Sequence, residues 1–216
     1  MPIITPTIFV NSLTALQERL ELYEEIAVRV QLDVADEEFT SKPTLGVEKM
    51  LEVATTLERD VHLMTEEPAD WLEVCRIEGV KTAIGQIENM SSQKEFVEEA
   101  KRLNLRAGLA VDLETELKEL DWLTAKEADL ILIMAVRAGK EGQKFNQESL
   151  SRVRELRKKG FVKEICVDGG VNEQTIEKCV KAGTDVLAVG SALWQAEDVE
   201  AEWKRLNQLA ERASTS

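Results

Sequence analysis

Residues 164–194 read EICVDGGVNEQTIEKCVKAGTDVLAVGSALW, and the fold prediction depends on this stretch. An apolar run (164–168) leads through two glycines into a segment with apolar residues at three- and four-residue spacing (172–183). A second apolar run (186–189) then leads into a glycine and a serine. Short apolar runs that alternate with amphipathic segments are typical of parallel β/α units. The stretch therefore predicts a strand, a helix and a second strand, each strand followed by a glycine-containing loop.

The same unit recurs along the whole chain without a linker-like gap. Helical periodicity is clearest at 13–25, 46–58, 91–103, 147–159 and 172–183. The apolar runs between the helical segments predict eight strands, at Ile3–Phe9, Ala27–Asp33, Asp60–Met64, Val80–Ile87, Arg106–Val111, Ala128–Val136, Glu164–Asp168 and Val186–Val189.

Eight strand and helix pairs favour one architecture over its main rival. A (β/α)8 TIM barrel needs eight pairs, whereas a doubly wound open sheet usually has fewer strands and a nucleotide-binding glycine fingerprint. Neither GxGxxG nor GxxxxGK[ST] occurs in the chain. We therefore expect a single (β/α)8 barrel domain spanning residues 1–216, with an open α/β sheet as the alternative.

Composition narrows the class of protein. Of the 216 residues, 44% are hydrophobic, which is enough for a well-filled core and excludes a disordered or fibrous chain. The net charge of -14 would repel a nucleic acid backbone, and no stretch approaches the roughly 20 apolar residues of a spanning helix. Because a basic leader is also missing, we expect a cytoplasmic protein without nucleic acid or membrane partners. The sequence is also compatible with a homo-oligomer.

The chain has one histidine, His62, and this limits its chemistry. A metal site with two imidazole ligands from one subunit is excluded, so carboxylates must carry most acid and base work. In a barrel, the active site lies at the carboxyl ends of the strands. Asp33 and Asp168 follow aliphatic residues there, where burial raises a carboxyl pKa. Either aspartate alone is as easily explained as a loop-starting residue or helix cap, but two around one barrel mouth favour proton transfer.

Glycines after the last three strands form a second group. Gly169 and Gly170 follow the seventh strand, Gly190 and Ser191 the eighth, and Gly142 lies in the loop after the sixth. Unobstructed backbone amides at such positions are suited to binding phosphate, with help from Lys140 or Lys144. The alternative is that each glycine only permits a tight turn with positive φ.

Several motifs resemble those of the ribulose-phosphate 3-epimerase family. QLDVADEEFTSKPTLG (31–46) resembles HxDxMDGxFVPNxTFG without a gap, and IMAVRAGKEGQKF (133–145) resembles VMTVxPGFGGQKF. The other matches are shorter and stand in the family's order: TPTIF (5–9), VHLMTEEP (61–68), VDGGV (167–171) and VGSA (189–192). The resemblance runs from about Ile4 to Trp194 and implies a barrel of the ribulose-phosphate-binding type.

The resemblance also implies an activity in the pentose phosphate pathway. Family members interconvert D-ribulose 5-phosphate and D-xylulose 5-phosphate by inverting C3, and the two matching acids are Asp33 and Asp168. Substrate would also contact Thr7, at the family's serine position, and His62, Met64 and Met134. The phosphate would bind at the glycine loops, residues Gly142, Gly169, Gly170, Gly190 and Ser191.

The family's divalent metal, which can be zinc, manganese, iron or magnesium, implies Asp33, His62 and Asp168 as ligands here. The fourth position holds Gln31 in place of a histidine. A glutamine carbonyl is a harder ligand than imidazole, which would weaken zinc binding and favour manganese or magnesium. Gln86 and Glu141 also replace family residues. These departures keep two alternatives open: a catalytically silent or altered phosphosugar-binding homologue, and another phosphosugar lyase or isomerase.

Overall fold

Eight parallel strands close into a barrel in which every strand pairs with its neighbours in chain order. The computed structural model describes residues 1–140 and 142–215. The ring runs from the first strand to the eighth, and residues 3–6 of the first strand pair with residues 186–189 of the last. Helices alternate with the strands along the chain. The predicted (β/α)8 barrel is confirmed.

The described elements have the following bounds. The strands are β1 Ile3–Ile8, β2 Arg29–Ala35, β3 Glu58–Met64, β4 Thr82–Gln86, β5 Arg106–Val111, β6 Leu130–Met134, β7 Glu164–Asp168 and β8 Val186–Val189. The helices are α1 Leu13–Glu24, α2 Val47–Leu51, α3 Leu72–Ile77, α4 Gln93–Arg102, α5 Trp122–Glu127, α6 Ser149–Lys158, α7 Ile176–Ala182, α8 Ser191–Trp194 and α9 Val199–Ser214. Within residues 1–140 and 142–215, none of the helices has the length and apolar character needed to cross a membrane.

Strand positions agree with the sequence prediction to within two residues, whereas two helices differ more. The helix predicted over 46–58 ends at Leu51, because the side-chain hydroxyl of Thr55 and the backbone N–H of Thr56 donate to Glu24 Oε1 instead of continuing a helix. The helix predicted from Asn172 begins at Ile176. There, Asn172 Oδ1 accepts from the backbone of Gln174, a local turn that competes with helix formation.

Side chains alternate between two apolar layers. On β2, Val30, Leu32 and Val34 belong to the large core between barrel and helices, whereas Ala35 belongs to the smaller core inside the barrel. Alternate residues of a strand face opposite sides of the sheet, so Gln31 and Asp33 face the barrel interior together with Ala35. The apolar layer inside the barrel therefore lies between polar groups at the two ends of the barrel.

Ion pairs occupy the end of the barrel where the strands begin. Arg29 donates from Nε to Asp60 Oδ2, and both residues are buried. Glu164 Oε2 lies 3.3 Å from Arg29 Nη2, and Glu164 Oε1 lies 3.0 Å from Arg106 Nη2. Polar groups at this end of a TIM barrel stabilise the fold and do not normally take part in catalysis. Charged groups buried this deeply depend on their partners.

We expect Arg29→Met to destabilise the protein by about 3–5 kcal/mol, because the Asp60 carboxylate would be left buried without its partner. Urea denaturation measures the change. The matched control is Lys49→Met, which breaks an exposed pair with Glu52 and should cost less than about 1 kcal/mol. An equal cost for the two single variants would contradict this account of the barrel base.

Candidate active site

Three strands bring four polar side chains together inside the carboxyl end of the barrel. Gln31 and Asp33 come from β2, His62 from β3 and Asp168 from β7. The register of β2 and β3 pairs Asp33 directly with His62. All four residues are buried, with 8% exposure or less. Because they are buried away from water, these polar groups must form hydrogen bonds with one another.

Gln31 connects the two aspartates. Its Nε2 donates to Asp33 Oδ1 at 2.8 Å and to Asp168 Oδ2 at 2.5 Å. His62 Nδ1 lies 3.3 Å from the same Asp33 oxygen and 4.0 Å from Asp168 Oδ2. The side-chain carboxyl groups of Asp33 and Asp168, which come from strands on different sides of the barrel mouth, are therefore parts of one cluster.

The far side of the His62 ring contacts Gln86. His62 Nε2 lies 2.8 Å from Gln86 Oε1, and because an amide oxygen only accepts, Nε2 carries the hydrogen in this arrangement. The lone pair of a neutral His62 is then on Nδ1, which faces the carboxylates. Lone pairs on three facing atoms repel one another unless a proton or a cation lies between them.

Burial and charge shift the proton affinities of this cluster. Burial, together with the negative charge of Asp33, raises the pKa of Asp168 to about 7. Burial alone would lower the pKa of His62, but the hydrogen bond with Asp33 and the charges of both aspartates raise it above its ordinary value. A carboxyl group with a pKa near neutrality can either donate or accept a proton at physiological pH.

The donor set fits a divalent cation. Asp33, His62 and Asp168 offer two carboxylate oxygens and one imidazole nitrogen within 4.8 Å of one another. Carboxylate and imidazole ligands suit zinc, manganese, iron and magnesium to different degrees, so these three residues do not select one ion. Gln31 presents its N–H groups to the carboxylates, and in this orientation it is not a ligand.

One pocket joins this cluster to the glycine loops. Its lining includes all but one of the twelve site residues proposed from the sequence, the exception being Gln31. The proposed residues that line it are Thr7, Asp33, His62, Met64, Met134, Gly142, Asp168, Gly169, Gly170, Gly190 and Ser191. Acid–base groups and candidate phosphate-binding amides thus face the same space.

The glycines are needed for more than one reason. Gly142, Gly169 and Gly170 have positive φ, whereas Gly190 does not. A Cβ on Gly170 would lie 2.8 Å from the Phe145 nitrogen, and one on Gly190 would lie 2.9 Å from Thr7 Oγ1. Turn geometry therefore explains three of the four glycines, while close approach to Thr7 explains Gly190.

A model of the ribulose-phosphate 3-epimerase family matches residues 3–194. The chain belongs to the ribulose-phosphate 3-epimerase family. Ribulose-phosphate 3-epimerase of Aquifex aeolicus is 32% identical and aligns with 82% of each chain. Ribulose-phosphate 3-epimerase of Mycobacterium bovis is 32% identical and aligns with 99% of this chain and 95% of its own. A solved structure of KGPDC from Streptococcus mutans has the same fold, with a TM-score of 0.76 at 9% identity and 98% coverage of each chain.

Two positively charged side chains line the pocket, and of the two lysines proposed from the sequence only Lys140, and not Lys144, is among them. Lys140 was singled out from the sequence, whereas Arg137 was missed although it lies shortly after β6. Both line the pocket and are exposed, and neither has an acidic partner in the part of the chain that the structure describes. Gln143 Nε2 donates to the carbonyl oxygens of both residues, at 2.6 and 2.7 Å. Glu141, the other charged departure in this loop, lies outside the described residues.

We expect Asp168→Asn to make the free energy of unfolding of this epimerase-family protein depend less on pH. Because folding raises the pKa of Asp168, its carboxyl group is protonated in the folded state and ionised in the unfolded state between about pH 4 and pH 7. That contribution to stability is present below about pH 4 and is lost as the pH rises to about 7. The free energy of unfolding of the Asn variant should therefore increase relative to that of wild type by up to roughly 1.4 kcal/mol per pH unit in this window.

Urea titrations of both proteins at pH 5, 6, 7 and 8, with a chelator present, measure this difference. A difference in unfolding free energy that stays constant across the four pH values would contradict the assigned environment of Asp168.

Proposed function

We propose that this chain inverts C3 of a ketose phosphate, converting D-ribulose 5-phosphate to D-xylulose 5-phosphate by proton transfer through Asp33 and Asp168. The observation that carries the proposal is that both carboxyl groups are buried in one pocket and bonded to the same Gln31 nitrogen. Membership of the ribulose-phosphate 3-epimerase family supports the reaction class, and so do the names of the relatives.

Inversion at carbon requires two proton-transfer groups on opposite faces. A base on one face removes the C3 proton, and the electron pair forms a C2–C3 double bond with negative charge on the C2 oxygen. An acid on the other face then returns a proton to C3 while the carbonyl re-forms. A single base would return the proton to the face it came from, so one aspartate cannot complete the reaction.

The raised pKa of Asp168 suits these roles. With a pKa of about 7, Asp168 is partly protonated at neutral pH and can serve as the acid while Asp33 serves as the base. After one turnover the proton lies on the other carboxyl group. The reverse reaction uses the same two residues with their roles exchanged.

Neighbouring side chains would hold the planar intermediate and its charge. Met64 and Met134 line the pocket as apolar contacts, and Thr7 supplies a hydroxyl group. Asp33, His62 and Asp168 would hold a divalent cation, whose positive charge would stabilise the developing oxyanion.

The glycine loops define the substrate class. A phosphate group would accept hydrogen bonds from backbone amides near Gly170 and Gly190, at the end of the pocket formed after β7 and β8. Arg137 and Lys140 add positive charge at the same mouth. A phosphorylated sugar therefore satisfies both the anion-binding loops and the acid–base pair.

A catalytically silent phosphosugar-binding homologue is the second candidate. Gln31 favours it, because an amide N–H directed at both carboxylates lies where a cation-binding ligand would be needed. Such a protein would keep the phosphate loops and lose proton transfer.

We expect Asp33→Asn and Asp168→Asn each to lower the rate of C3 inversion by about 10²–10⁴-fold, because each removes one of the two proton-transfer groups. Conversion of D-ribulose 5-phosphate measures the rate, in metal-free protein and with added manganese. Both variants should still bind the sugar phosphate, which calorimetry can verify.

Turnover that survives both substitutions would exclude the two-aspartate mechanism. Sugar phosphate binding without any C3 exchange in wild type, with or without metal, would favour the silent homologue.

A further inference from the structure

The carboxamide of Gln31 occupies the place where a cation would balance the two carboxyl groups. Its Nε2 lies 2.8 Å from Asp33 Oδ1 and 2.5 Å from Asp168 Oδ2, and the residue is 2% exposed. One nitrogen with two hydrogens thus satisfies one oxygen on each of two acids. Water has little access to this nitrogen.

The bond joins strands that are not neighbours. In the closed barrel, β1 and β8 lie between β2 and β7, so the Gln31 side chain reaches across the mouth. A primary amide can bridge two acceptors from one atom, because it carries two N–H bonds about 120° apart. An imidazole nitrogen carries at most one. The residue type at position 31 is therefore chemically suited to bridging two acids.

A bound cation and this bridge need the same space. A cation that binds both aspartates must approach their oxygens to about 2.0–2.5 Å. The Gln31 nitrogen already lies within 2.8 Å of one oxygen from each aspartate. Its hydrogens would point at the incoming positive charge, so the amide must withdraw before a cation can enter.

We propose that Gln31 is a positioning residue that stands in for the cation, so that its N–H bridge and a bound metal exclude each other. The bridge holds both carboxyl groups in place when no metal is bound. The inference rests on the proposed function only in taking these two carboxyl groups as the proton-transfer pair. It explains how two acids stay adjacent in a protein whose fourth ligand position is not a histidine.

Metal affinity tests this competition directly. Calorimetric titration of chelator-treated, full-length protein with Mn²⁺ and with Zn²⁺ compares wild type with Gln31→Ala and Gln31→Leu. We expect Gln31→Ala to bind both ions about tenfold more tightly, because the bridge no longer has to be broken. The matched control, Gln31→Leu, should bind them more weakly than wild type, because its methyl groups fill the space without bonding.

Thermal unfolding provides a second readout without substrate. With chelator present, Gln31→Ala should melt several degrees below wild type, and saturating Mn²⁺ should raise its melting temperature by more than it raises that of wild type. Should Gln31→Ala fail to fold, Gln31→Ser takes its place, with the same expected directions.

Weaker metal binding by Gln31→Ala would overturn the proposal, because Gln31 would then be a ligand. Unchanged metal affinity would also overturn it, because removing the bridge would then have no effect on metal binding. Neither measurement involves turnover, so both are independent of whether the chain is an epimerase. Absence of C3 exchange in every variant and metal state would instead overturn the proposed function and leave the bridge intact.

Discussion

Two buried carboxyl groups held beside each other are the constraint on which the carboxyl end of this barrel depends. Like charges in a medium of low dielectric repel strongly, and they remain adjacent only if a proton, a cation or hydrogen-bond donors lie between them. Gln31 supplies hydrogen-bond donors from β2, and the raised pKa of Asp168 supplies a proton. These features follow from burying both acids in one pocket, and the same burial suits them to proton transfer.

The barrel separates this carboxyl cluster from a stabilising ion-pair cluster. Arg29 and Asp60 form a buried ion pair where the strands begin, and an apolar layer that includes Met134 and Cys166 lies inside the barrel. Oppositely charged partners at one end stabilise the fold, whereas like charges at the other cost stability. This division matches the usual placement of function at the carboxyl ends of TIM-barrel strands.

Much of the fold was predictable from the sequence, because apolar periodicity is a local property. The strands Arg106–Val111, Glu164–Asp168 and Val186–Val189 have the predicted bounds. The end of α2 was missed, since hydrogen bonds between Thr55, Thr56 and Glu24 join parts of the chain about thirty residues apart. Asp33 and Asp168 were found because each follows an aliphatic run. The bridge from Gln31 to Asp168 was not, because it spans 137 residues and depends on barrel closure.

The distribution of solvent deuterium between substrate and product tests the two-acid account most directly. D-ribulose 5-phosphate is incubated with the protein in deuterated water, and both sugars are analysed after a few per cent of conversion. Two acids on opposite faces, each exchanging with solvent, predict deuterium at C3 of the D-xylulose 5-phosphate and almost none in the recovered substrate. Equal labelling of both sugars, or retention of the original hydrogen in the product, would show that one group serves both faces and would contradict the account.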